Sequence, residues 1–116
     1  NGPEARAFSG MAFNAKSEKV VLFGGGSMWQ DYMAGKILDD TWEWNGNHWT
    51  RIEVEGPSAR MGISLVYDSK RDVMVIFGGA VRPPDINYPL VLRVQETWIF
   101  RYGSSGMPLG LWSKYH

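Results

Sequence analysis

A chain of 116 residues, 44% of them hydrophobic, with twelve Lys plus Arg against twelve Asp plus Glu has the size and balance of one folded domain rather than of a disordered segment. Its charges are scattered, so no basic stripe exists to neutralise a row of phosphates, and nucleic acid is not an expected partner. The absence of cysteine excludes disulfides, thiolate nucleophiles and Cys-held zinc, and fits either redox compartment. No run of about 18 apolar residues spans a bilayer, so no membrane partner is expected either. The start Asn1-Gly2-Pro3 lacks Met and a basic or apolar leader, as expected of a processed protein or an excised fragment.

In chain order, four short strands are predicted first, over Ser9–Asn14, Lys19–Phe23, Asp40–Trp44 and His48–Ile52, from short apolar and aromatic runs bounded by turn residues. Asn45-Gly46 predicts a tight two-residue hairpin turn with positive φ at both positions. A second set follows over Ile63–Asp68, Val73–Phe77, Glu96–Phe100 and Leu111–Lys114. Gly103-Ser104-Ser105-Gly106 lengthens its last hairpin. Helix is nearly absent; the best window, Gln30 to Lys36, is short and contains Gly35.

The two sets are copies. Sliding the chain by 54 positions lays Gly2-Pro3-Glu4-Ala5-Arg6 on Gly56-Pro57-Ser58-Ala59-Arg60, and Val21-Leu22-Phe23-Gly24-Gly25 on Val75-Ile76-Phe77-Gly78-Gly79, with no gap. Asp40-Thr41-Trp42 then matches Glu96-Thr97-Trp98, and Trp49 matches Trp112, at larger offsets. Insertions therefore fall only in connections, the mark of a repeat architecture with units at 1–55 and 56–116.

Glycines 24 to 26 invite a nucleotide reading, which their spacing rejects. Trp29 stands where the dinucleotide pattern needs its third Gly, and Gln30 stands five before Gly35-Lys36 where the triphosphate loop needs Gly. A glycine pair ending a buried strand is expected to serve backbone geometry instead.

Gly-Pro-x-x-Arg, a strand ending in an aromatic plus Asn or Asp, a strand ending in Gly-Gly, then Asp-Thr-Trp and a later Trp resemble the kelch repeat, in wording closest to bacterial arrays. The resemblance covers nearly the whole chain. It implies an all-β fold in which each unit is one four-stranded antiparallel blade of a β-propeller, and export to an extracellular compartment. Glu96 departs from the usual Asp, and long insertions precede Glu96 and Trp112. Galactose-oxidase-type copper enzymes share the kelch fold, but their Tyr–Cys cofactor cannot exist in a chain without cysteine, and no cofactor is expected.

Strands such as Val20–Phe23 and Val73–Phe77 are apolar on successive residues, so both faces of each sheet need covering. Two sheets cover only their shared face, and an outer face of about 400 Å² left in water forgoes about 10 kcal/mol at ~25 cal/mol per Å². The ring is expected to be completed by further blades or by homo-oligomerisation, three copies giving six blades and four giving eight.

Arg6 and Arg60, at one repeat position, are expected to bond backbone carbonyls or a neighbouring unit's carboxylate. Trp42, Trp44, Trp49, Trp98 and Trp112 are expected in core or inter-unit packing. Asp39 and Asp40 point to opposite strand faces and form no dyad; Asp40 is expected to cap a turn. His48 and His116 are too few and too far apart for a metal site. The unrepeated loops Gly26 to Asp39 and Ala80 to Gln95 are where binding residues belong: Trp29, Asp31 and Tyr32 in the first, Arg82, Asp85 and Tyr88 in the second. The expected function is a non-catalytic scaffold that binds a protein or glycan ligand through loops on one face. The alternatives are a self-assembling structural propeller, or a piece of a larger propeller enzyme with its catalytic residues elsewhere.

Overall fold

In a computed structural model the described residues are 2–26, 36–81, 92–102 and 108–115. They form two four-stranded antiparallel sheets and a small ribbon, with no helix among them. The first sheet runs β1 (Gly10–Asn14), β2 (Lys19–Gly26), β3 (Ile37–Trp44), β4 (Trp49–Ile52), each strand beside the next. The second contains β5 (Ser64–Asp68), β6 (Val73–Phe77), β9 (Thr97–Tyr102) and β10 (Pro108–Tyr115), in the same meander order. Between β6 and β9 the chain makes the ribbon β7 (Ala80–Val81) with β8 (Leu92–Arg93). That ribbon lies inside the stretch expected to be loop; two residues a side give no readable period, and it is held by a backbone bridge from Met61 to Ala80.

The turns at one end of each sheet are repeated in atomic detail. Asn14 Oδ1 accepts from the backbone N–H groups of Lys16 and Ser17, and Asp68 Oδ1 from those of Lys70 and Arg71. This side-chain mimicry of a backbone turn suits Asn and Asp. Each turn then places one residue at positive φ, Glu18 in the first and its repeat equivalent Asp72 in the second, with φ of 60° and 55°. The β3–β4 turn differs from expectation by one residue: Asn45 N–H bonds His48 O, so Gly46 and Asn47 are central, and only Gly46 takes positive φ. The Asn45 side chain accepts from the N–H groups of Asn47 and His48, closing the turn without a second left-handed residue.

At the opposite end the glycine pairs act as expected of backbone hinges. Gly24 and Gly25 have φ of 69° and 108°, Gly78 and Gly79 of 78° and 106°. The β2–β3 register shifts between Phe23 and Gly25, so Gly24 forms a bulge. Gly25 N–H donates to Arg60 O and Gly26 N–H to Ala7 O, so these donors are spent on the protein itself and cradle no anion.

The core lies between the sheets. Val21 and Phe23 of the first interlock with Leu65, Met74, Ile76, Phe100 and Trp112 of the second. A Cβ on Gly10 would stand 2.7 Å from Leu65 Cβ, which shows how closely β1 approaches β5.

Candidate functional site

Two kinds of site emerge from the repeat: a polar cluster that recurs in each sheet, and an apolar groove that is filled on one sheet and open on the other. The polar cluster begins with the Gly-Pro-x-x-Arg segment, which lays its arginine along the end of β2 or β6. Arg6 Nη1 and Nη2 grip the two oxygens of Asp40 at 2.6 and 2.9 Å, and Nη1 also donates to Gly24 O. Trp42 Nε1 donates to Asp40 Oδ2 at 2.7 Å. In the second unit Arg60 Nη2 donates to Glu96 Oε1 at 3.0 Å and Nη1 to Gly78 O, while Trp98 Nε1 donates to the same Oε1 at 3.1 Å. Lys114 adds a second cation 3.2 Å from Glu96 Oε2.

Each arginine thus takes the carboxylate of its own unit rather than a neighbouring unit's: the bulge at Gly24 brings Asp40 of β3 beside Arg6, and Glu96, the residue before β9, stands beside Arg60. Asp40, expected to cap a turn, instead sits within β3 as the anchor of this cluster. Burial pulls the Asp40 carboxyl upward, but hydrogen bonds from Arg6 and Trp42 and the arginine's charge outweigh it, so its pKa falls below 3.8. The Trp98 and Arg60 hydrogen bonds lower Glu96 from 4.5 to about 2. Carboxylates held this firmly ionised have no proton to give and no free basicity near neutral pH, so the cluster clamps the strand ends together.

The tryptophans divide by environment. Trp112 is buried between the sheets: its ring lies 5.5 Å from Phe23 and 5.0 Å from Phe100, and its Nε1 donates to Thr41 Oγ1 of the first sheet at 3.1 Å. Trp98 packs against the same core. Trp42, Trp44 and Trp49 are only partly buried. Trp44 and Trp49, with ring centres 5.4 Å apart, line a groove of about 300 Å³ with Met11 and Val20 on the face of the first sheet turned away from the second. Thr41, Met11 and Val20 were missed by motif reading, although Thr41 and Thr97 share a repeat position that carried the signal.

A second hollow, of about 430 Å³, lies where the start of the Asp39–Thr41 segment meets the connection after β4, walled by Asp39, Arg51, Glu53 and Glu55. Arg51 pairs there with Glu53 at 3.5 Å. Among the described residues no three His, Asp or Glu side chains stand together as metal ligands. His48 is exposed in the β3–β4 turn. The binding residues expected in the loops, Trp29, Asp31, Tyr32, Arg82, Asp85 and Tyr88, lie outside the described residues, as does His116.

Compared with models of known protein families and with curated proteins, the sequence matches none.

Proposed function

We propose that this chain is a non-catalytic scaffold of the kelch β-propeller type, which presents a protein- or glycan-binding surface from one end of its stacked sheets. The observation that supports this reading is the repetition of the Arg–carboxylate–Trp clamp, Arg6–Asp40–Trp42 and Arg60–Glu96–Trp98, at the same end of two sheets of the same topology. A clamp repeated at one end holds the strand ends from which the long connections leave. β2 ends at Gly26 and β3 begins at Ile37 beside the first clamp, and the chain between β6 and β9 starts and finishes beside the second. Binding residues carried on such connections are supported by a rigid frame, which lowers the ordering cost of recognition. Trp29, Tyr32, Arg82 and Tyr88 belong to the residue types enriched where binding energy concentrates.

The test is a screen of the folded chain against glycan and peptide arrays, followed by titration of each hit against Trp29→Ala, Tyr32→Ala, Arg82→Ala and Tyr88→Ala. Loss of at least ~tenfold in affinity in two or more of these variants, with unchanged thermal unfolding, is the expected result. Hits whose affinity ignores all four changes, or arrays without a hit, count against the reading.

A further inference from the structure

The apolar groove on the first sheet has a filled counterpart within the same chain, and that counterpart says what shape fills it. Met11, Val20, Trp44 and Trp49 line the open groove. Their repeat equivalents on the second sheet are Leu65, Met74, Phe100 and Trp112. All four of those are buried core residues, and the side chains packed among them are Val21 and Phe23 of the first sheet. Phe23 meets Trp112 edge to face, a favoured aromatic arrangement.

The equivalents of Val21 and Phe23 are Val75 and Phe77. They lie on the face of the second sheet turned away from the first, where Phe77 is 53% exposed and its neighbour Val66 likewise 53%. The chain therefore carries, on its two outer faces, the two unmated halves of the interface that already joins its own sheets. Met11 and Phe13, 56% and 54% exposed, extend the open half. Apolar surface of this kind, contiguous and shaped, marks an interaction site.

We propose that the Met11/Val20/Trp44/Trp49 groove receives Val75 and Phe77 of a second copy of this chain, head to tail, with Trp49 Nε1 donating to Thr97 Oγ1 of that copy. The Trp112–Thr41 bond within the chain is the template for that last contact, since Thr97 occupies the repeat position of Thr41. Such an interface is heterologous: every copy offers one groove and one insert, so association continues until a rotation closes it. The inference rests on the stacked-sheet part of the reading above and is independent of what the connections bind.

Phe13→Lys spoils the groove face and Phe77→Lys the insert face. Both residues are more than half exposed in the single chain, so neither change disturbs its core. Light scattering over a concentration series is expected to show the native chain at multiples of 13.1 kDa and each variant at the mass of one copy. A one-to-one mixture of the two variants is expected to form pairs and stop there, because the sound insert of one meets the sound groove of the other. A native chain that stays at one copy at every concentration overturns the proposal, as does an assembly that survives Phe77→Lys, or folded variants that fail to pair when mixed. Loop variants such as Trp29→Ala leave these masses unchanged, so failure here is distinct from failure of ligand binding.

Discussion

The indole N–H of Trp112 on β10 donates to the hydroxyl of Thr41 on β3, 3.1 Å away and on the other sheet. This bond ties the last strand of the second unit to the third strand of the first, beside the contact of Trp112 with Phe23. Trp112→Ala is expected to cost roughly 3 to 5 kcal/mol, the range for truncating a buried aromatic. Thr41→Val keeps the shape but strands a buried indole N–H, at a cost of roughly 1 to 3 kcal/mol. Trp49→Ala, at the matching position of a sheet whose outer face is open, is expected to cost a single copy less than Trp112→Ala. Urea unfolding at a concentration where one copy predominates ranks the three.

The two arginine clamps differ in how much charge they leave behind when broken. Arg6 and Asp40 side chains are 5% and 12% exposed. Arg6→Met therefore strands a nearly buried carboxylate, at roughly 3 kcal/mol or more. Glu96 is 29% exposed and keeps Lys114 beside it, so Arg60→Met is expected to strand its carboxylate more cheaply. A double-mutant cycle of Arg6→Met with Asp40→Asn, read by urea unfolding, should show strong coupling; additive effects would contradict the clamp.

Acid is expected to loosen both clamps. Glu96 binds its proton at about 2 when folded against 4.5 when free, and Asp40 is shifted in the same direction below 3.8. A folded-state pKa below the unfolded one means that the unfolded chain takes up protons first. The stability contributed is thus fully present above about 4.5 and lost as pH falls toward about 2. Glu96→Gln should flatten the unfolding midpoint against pH across that window; an unchanged slope would show that Glu96 does not contribute to it.

Glycine substitutions should separate close approach from simple turn geometry. A Cβ on Gly24 would stand 2.6 Å from Arg60 O, and one on Gly79 2.6 Å from Ile63 Cγ2, both at positive φ. Gly46 also has positive φ, but a Cβ there meets nothing within 4 Å. Gly24→Ala is expected to destabilise more than Gly46→Ala, since it adds a backbone collision to the roughly 1 kcal/mol of left-handed strain. Thermal unfolding of the two variants checks the order.

Gly56 lies against Trp112 much as Gly2 lies against Trp49, with added Cβ atoms 2.5 and 3.0 Å from the respective Cδ1 atoms. Gly56→Ala must push a buried ring, whereas Gly2→Ala pushes one that borders an open groove. The first is expected to lower the melting temperature by several degrees, about 4 to 8 °C per kcal/mol at this size, and the second by less.

The eight strands of the two main sheets and the likeness of the two units were legible in the sequence, because they rest on local signals: short apolar runs, turn residues and self-similarity over 54 positions from Gly2 to Gly56. Four antiparallel strands per unit was what the family resemblance implied, and the strand order within each sheet came from the structure. The need to cover both faces was equally visible in Val73–Phe77, where every residue is apolar. Which face meets which was decided only in three dimensions. Phe23 and Phe77 are the same residue at the same repeat position, yet one is fully buried and the other 53% exposed, since burial depends on what stands opposite and not on the strand itself. The same holds for the partner of Arg6, set by a glycine bulge that swings β3 beneath it, and for the ribbon of β7 and β8, whose two-residue strands are too short to leave a period in the chain.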